Sequence, residues 1–185
     1  MNKIWSLLLA VIAALAATSS DAAAIRLQNN STNVSVGDEF LVDVILQDAF
    51  AEEFTGDVLL AFGFNLFASP GLSLVSSTVA SGWDDDSELL GLDLAGSTFP
   101  GIEDDGSGVD ILLAQLSFSA LEAGNFLIAL SGSALDSPNH GLIYLGGETS
   151  GLAQTMVTVQ PVPLPAAGWL LASALVALFR VRRCR

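Results

Sequence analysis

The chain has almost no cysteine, almost no histidine and very little positive charge. Cys184 is the single cysteine of 185 residues, so no disulfide can form within the chain. A body without thiols must fold by burial alone, although an oxidising compartment would permit disulfides. His140 is the single histidine. It lies in the turn-like Ser137-Pro138-Asn139-His140-Gly141, with no G-x-S-x-G element and no body cysteine, which argues against nucleophilic triads and zinc sites. No glycine-rich phosphate loop runs from a strand into a helix. Bases are as scarce: of six, Lys3 is near the N-terminus and Arg180, Arg182, Arg183 and Arg185 are at the C-terminus, leaving only Arg26 between residues 25 and 160. Asp21 is the one acid outside that stretch, so 19 of the 20 acids face a single base, a net charge of −18. Such a body repels nucleic acid and anionic lipid, stays soluble and attracts cations.

What is present begins with two apolar ends. Lys3 precedes the apolar run Ile4 to Ala17, and Ala22-Ala23-Ala24 follows a polar stretch as an A-x-A cleavage site. This is the layout of a secretory signal peptide over 1–24, handled by the Sec translocon and signal peptidase. At the other end, Val162-Pro163-Leu164-Pro165-Ala166 leads into an apolar run ending at Phe179, then Arg180-Val181-Arg182-Arg183-Cys184-Arg185. A helix from Ala166 to Phe179 has 14 residues. It is about 21 Å long against a bilayer core of about 30 Å, a marginal span suited to a temporary anchor. The arginines favour the cytoplasmic side, which leaves the body beyond the membrane.

The body from 25 to 160 is expected to be one all-β domain. Phe40, Val42, Val44 and Leu46 alternate with polar positions over Glu39 to Gln47, the period-two mark of a half-buried strand. Over Ile111 to Ala120, Leu112, Ala114, Leu116 and Phe118 are expected inward and Gln115, Ser117 and Ser119 outward. Further strands are expected at Ile25 to Gln28, Asn33 to Val36, Val58 to Phe67, Leu72 to Val79, Glu88 to Leu94, Phe126 to Ser131, Leu142 to Leu145 and Thr155 to Val159. Val58 to Phe67 is uniformly apolar, as a central strand would be. The rest of the acidic stretch Trp83 to Asp110 is expected as loop. About nine strands with frequent turn signals argue a two-sheet antiparallel β-sandwich, flanked by the signal helix and a C-terminal transmembrane helix.

The densest acids are Asp84-Asp85-Asp86 with Glu88 and Glu103-Asp104-Asp105 with Asp110. Calcium takes six to eight oxygen ligands from flexible loops. Asp104, Asp105 and Asp110, spaced by Gly106 and Gly108, are the candidate calcium ligands, against the plainer reading of a solvated acidic loop. No other cofactor is expected. Acid pairs suited to glycoside hydrolysis are too plentiful to discriminate, and Trp83 beside Asp84 is either a sugar platform or a partly buried strand-end residue. Asn29, Asn30 and Asn33 each open an N-x-[ST] triplet, read here as polar residues near a strand edge.

The C-terminal 24 residues resemble the PEP-CTERM sorting signal of Gram-negative bacteria in its Val-Pro-Leu-Pro-Ala variant; Pro-Glu-Pro itself is absent. The resemblance implies that an exosortase, a membrane-embedded cysteine protease-like enzyme, recognises the sorting tail over 161–185 and cleaves within it. It implies transient anchoring in the inner membrane, then delivery to the cell surface or polysaccharide matrix. The body resembles cohesin-like β-sandwich domains (jelly-roll type) at Val34 to Val44, Gly71 to Ser76, and Gly108 to Phe118 followed by Leu121 to Leu130. The expected function is a non-catalytic surface or matrix protein that binds polysaccharide or an envelope protein. The alternatives are a secreted glycan-active enzyme and a cohesin-type protein-binding module.

Overall fold

The computed structural model describes residues 23–162 apart from 52, 53, 107, 109 and 134–138. The expected signal peptide, and the tail beyond Val162, lie outside the described residues. Twelve strands and one helical turn are found among the described residues: β1 Ala24–Asn29, β2 Val34–Ser35, β3 Glu39–Gln47, β4 Val58–Ala68, β5 Leu72–Val79, β6 Asp84–Asp85, α1 Ser87–Leu90, β7 Leu94–Glu103, β8 Ile111–Ala120, β9 Gly124–Gly132, β10 Gly141–Tyr144, β11 Glu148–Thr149 and β12 Gly151–Gln160.

They form a β-sandwich. A four-stranded sheet has the order β1-β3-β8-β5. An eight-stranded sheet follows β11-β10-β4-β9-β12-β2, with β7 on β4 and β6 on β7. β4 is central, as its apolar run predicts: it pairs with β7 and β10 over its first part and with β9 from Asn65 to Ala68. The N-terminal chain ties the sheets together. β1 pairs with β3 in one sheet, and β2 runs parallel to the end of β12 in the other.

The core lies between the sheets. β3 buries Phe40, Val42, Val44 and Leu46, as its alternation predicts. Leu59, Phe62, Phe64, Leu94, Ile128 and Leu130 face them from the larger sheet, each at most 1% exposed. Phe40 stacks on Phe118 at 5.8 Å and Phe62 on Phe64 at 6.0 Å. Each fully buried side chain of this size contributes about 1.5–3 kcal/mol, which is how a body without disulfides holds together.

Three expectations are corrected. Leu112 turns outward and Leu113 is buried. Val44 faces Ala114 while Ile45 faces Leu112, so Leu113 is the extra residue of a β-bulge that reverses the alternation. The strand expected at Glu88–Leu94 is instead α1, closed by Gly91 in the left-handed conformation at φ 67°. The strand itself, β7, occupies ground expected to be loop. Its register on β4 jumps from Ser97 opposite Ala61 to Ile102 opposite Leu59. Thr98 to Gly101 therefore bulge from the sheet, and Phe99 is 96% exposed. The strands number twelve rather than nine because β6, β7 and β11 are short, small-residued or interrupted.

Candidate functional site

The outward faces of the two sheets differ in chemistry. On the four-stranded sheet the cross-strand rows are Glu39–Ser119–Ser73, Leu41–Ser117–Ser76, Gln28–Asp43–Gln115–Thr78 and Arg26–Ile45–Leu112. This face is rich in hydroxyls and amides. At its centre Asp43 accepts hydrogen bonds from the Asn30 side-chain amide at 2.8 Å and from Gln115 at 2.9 Å.

On the larger sheet, β4, β9 and β12 present the rows Phe67–Ala129–Gln154, Leu127–Met156, Asn65–Ser131–Leu152 and Asn125–Thr158. None of these residues is charged. Phe67 is 57% exposed, Met156 59% and Leu152 74%. The register brings them onto one surface: Phe67 sits opposite Ala129, diagonal to Leu127, which is opposite Met156. The result is an apolar strip on a body of net charge −18.

A second feature is a cleft of about 430 Å³ between the loop after β3 and the loop after β7. Phe50, Ile102 and Ile111 give it apolar walls, and Asp48, Glu103, Asp104 and Asp105 surround it. Both walls are tied down. The Tyr144 hydroxyl donates to the Ala49 carbonyl at 2.6 Å, its ring stacks on Phe54 at 4.0 Å and meets Phe50 edge-on at 6.1 Å. Burial, and secondarily the Asp57 carboxylate, push the Tyr144 hydroxyl well above its ordinary range. Across the cleft, Asp104 accepts the Gly56 and Gly106 backbone N–H groups, each at 2.9 Å.

Asp104 and Asp105 thus share the cleft, whereas Asp110 lies 3.8 Å from the Arg26 guanidinium at the surface. Among the described residues, no three acid, histidine or cysteine side chains converge as a metal cage. Asp84 and Asp85 form β6, and the Ser87 side chain and backbone N–H hold Asp85 below the usual carboxylate range through hydrogen bonds. Trp83 packs edge-on against Phe62 at 4.9 Å and belongs to the core margin. His140 borders a smaller cavity with Asn65, Ser131 and Ser150. Asn29 ends β1 and its side-chain Oδ1 accepts the Ser31 N–H at 2.9 Å. Val162, which opens the sorting motif, is 58% exposed. Pro163, Leu164, Pro165, Ala166 and the arginines from Arg180 lie outside the described residues. Among the described residues, no helix is long and apolar enough to cross a membrane.

No family model matches the chain, and no curated protein does. Solved structures do resemble it. A non-cellulosomal cohesin from the archaeon Archaeoglobus fulgidus is 14% identical, at a TM-score of 0.46, over 79% of this chain and 95% of that one. A type II cohesin domain from the cellulosome of Acetivibrio cellulolyticus is 12% identical at 0.44, over 73% and 94%. A type II cohesin–X–dockerin complex of the same organism contributes a chain 12% identical at 0.43, over 75% and 100%. At such scores and identities, the architecture of this chain rests on the strand pairings described above.

Proposed function

We propose that this chain is an exported, non-catalytic binding module that docks a protein of the cell envelope through the outer face of β4, β9 and β12. The observation that carries the reading is the uncharged outer face on which Phe67, Ala129, Leu127 and Met156 adjoin, with Leu152 beyond Gln154. An exposed, contiguous apolar surface is characteristic of docking sites, and interface cores are depleted of charge and enriched in Phe and Met. On a body of net charge −18 the strip is where a partner loses least by desolvating charges. This favours the cohesin-type protein-binding alternative over polysaccharide binding. The hydroxyl-rich face of the four-stranded sheet, with Ser73, Ser76, Ser117, Ser119 and Gln115, supports polysaccharide contact as the second reading.

The signal peptide and the Val162-to-Ala166 motif, with the apolar run and arginines that follow, support export, exosortase sorting and release to the surface of a Gram-negative cell. Calcium at Asp104, Asp105 and Asp110 is a separate proposal. It requires Asp110 to leave Arg26.

The docking reading is tested by passing envelope extract over immobilised wild-type chain, Met156→Lys and Phe67→Ser. Both positions are exposed, where substitutions change stability by about 0.5 kcal/mol or less. The expected result is one dominant protein retained by the wild type and lost from both variants. Equal retention by all three would remove the reading.

A further inference from the structure

We infer that the cleft between the β3–β4 and β7–β8 loops receives a basic side chain, arginine or lysine, from the partner protein. The inference rests on the reading of the body as a protein-binding module and adds a second contact, chemically unlike the first.

Phe50, Ile102 and Ile111 are half-buried, leaving apolar surface open to a ligand. Acids alone would be a solvated rim; apolar walls within a preformed cavity make a place where an aliphatic stem can lie while its charged end stays at the mouth. The volume, about 430 Å³, falls in the range of small-ligand sites and admits one or two long side chains. The walls are preorganised. The Tyr144–Ala49 hydrogen bond and the aromatic packing of Phe50 fix one, and the Asp104 bonds to Gly56 and Gly106 fix the other. A rigid site pays little ordering entropy on binding.

Charge decides which ligand fits. Asp48 and Glu103 are exposed at the mouth, and the Asp104 carboxylate accepts two backbone N–H groups. The chain has one base between 25 and 160, Arg26, and it faces Asp110. Among the described residues Asp48 and Glu103 have no cationic partner, so a cation from a ligand can pair with them, and the field of the acidic body draws cationic groups toward the cleft. An anionic ligand would meet repulsion, and a purely apolar one would leave Asp48 and Glu103 without a cation. Guanidinium matches carboxylate pairs geometrically, which favours arginine.

The test uses the purified full-length chain in a nonionic detergent and a six-residue peptide of alternating leucine and arginine, titrated calorimetrically at low salt. The companion peptide carries glutamate for arginine. The variant Asp48→Asn with Glu103→Gln removes two charges and keeps shape; asparagine tolerates the left-handed backbone of residue 48, φ 47°. The arginine peptide is expected to bind the wild type, to bind the double variant about tenfold more weakly, and to bind Met156→Lys as it binds the wild type. Raising the salt to about 0.5 M weakens wild-type binding, which checks the charge dependence without any variant. No binding of the arginine peptide, equal binding of the glutamate peptide, equal binding by the double variant, or loss on Met156→Lys would each overturn the inference. Peptide binding is read on pure protein, so its failure is distinct from failure of the apolar strip to retain an envelope partner.

Discussion

Tyr144→Phe isolates one hydroxyl and tests how the cleft wall is held. Tyr144 is 3% exposed, and its hydroxyl donates to the Ala49 carbonyl at 2.6 Å. Phenylalanine keeps the ring on Phe54 and loses only that bond. A net hydrogen bond contributes about 0.5–1.5 kcal/mol, and a buried carbonyl left unpaired costs about 1–3 kcal/mol. The expected loss is about 1–2 kcal/mol, or about 3–8 °C in melting temperature for a body of this size. The pH dependence adds a sign. Burial raises the Tyr144 hydroxyl in the folded state above the unfolded value of about 10. The stabilisation is complete below pH 10 and is lost as pH rises from there toward the folded value, because only the unfolded chain then releases the proton. One pH unit above the unfolded value, the wild type has lost about 1.4 kcal/mol that the phenylalanine variant never had. The gap between the two should close near pH 11. Urea unfolding at pH 8 and pH 11 reads it, and absorbance at about 295 nm follows ionisation directly because Tyr144 is the only tyrosine in the chain. A folded-state midpoint near pH 10, or equal stability of the two proteins at pH 8, would refute the reasoning.

Leu130 is fully buried between the sheets, so Leu130→Ala is expected to cost about 2–5 kcal/mol in chemical unfolding; a loss below about 1 kcal/mol would mean the core is not packed as described. Millimolar calcium should give calorimetric heat and a raised melting temperature if Asp104, Asp105 and Asp110 bind it, and the absence of both would remove that proposal. Intact mass of the protein recovered from the cell surface should lack residues 1–24 and 166–185; a mass retaining the tail would leave a tail-anchored protein in place of an exosortase substrate.

The sequence was most legible where side chains alternate. β3 and β5 begin and end where the pattern predicts, and β8 matches except at Leu112, where a bulge inserts a residue without changing its apolar character. β12 starts at Gly151, four residues before the predicted Thr155, because its first inward positions are Gly151 and Ala153, too small to register as hydrophobic. β7 was hidden for a related reason. Ala95 and Gly96 pack in the interior, and a Cβ at residue 96 would lie 2.9 Å from the Phe62 ring, so small residues are required there. The candidate surfaces depend on register and were less legible still. Met156 reads as one apolar residue of a strand until pairing sets it beside Leu127 on the outer face. The cleft joins Asp48 and Phe50 to Ile102 and Glu103, distant in sequence and without a local motif.

The central claim is that the outer face of β4, β9 and β12 holds a protein partner. A photo-crosslinking amino acid at position 156, compared with one at position 117 on the opposite sheet, tests it most directly in living cells. The account predicts one protein adduct of defined mass from position 156 and none from position 117. Equal adducts from both positions, or adducts only with polysaccharide, would contradict it.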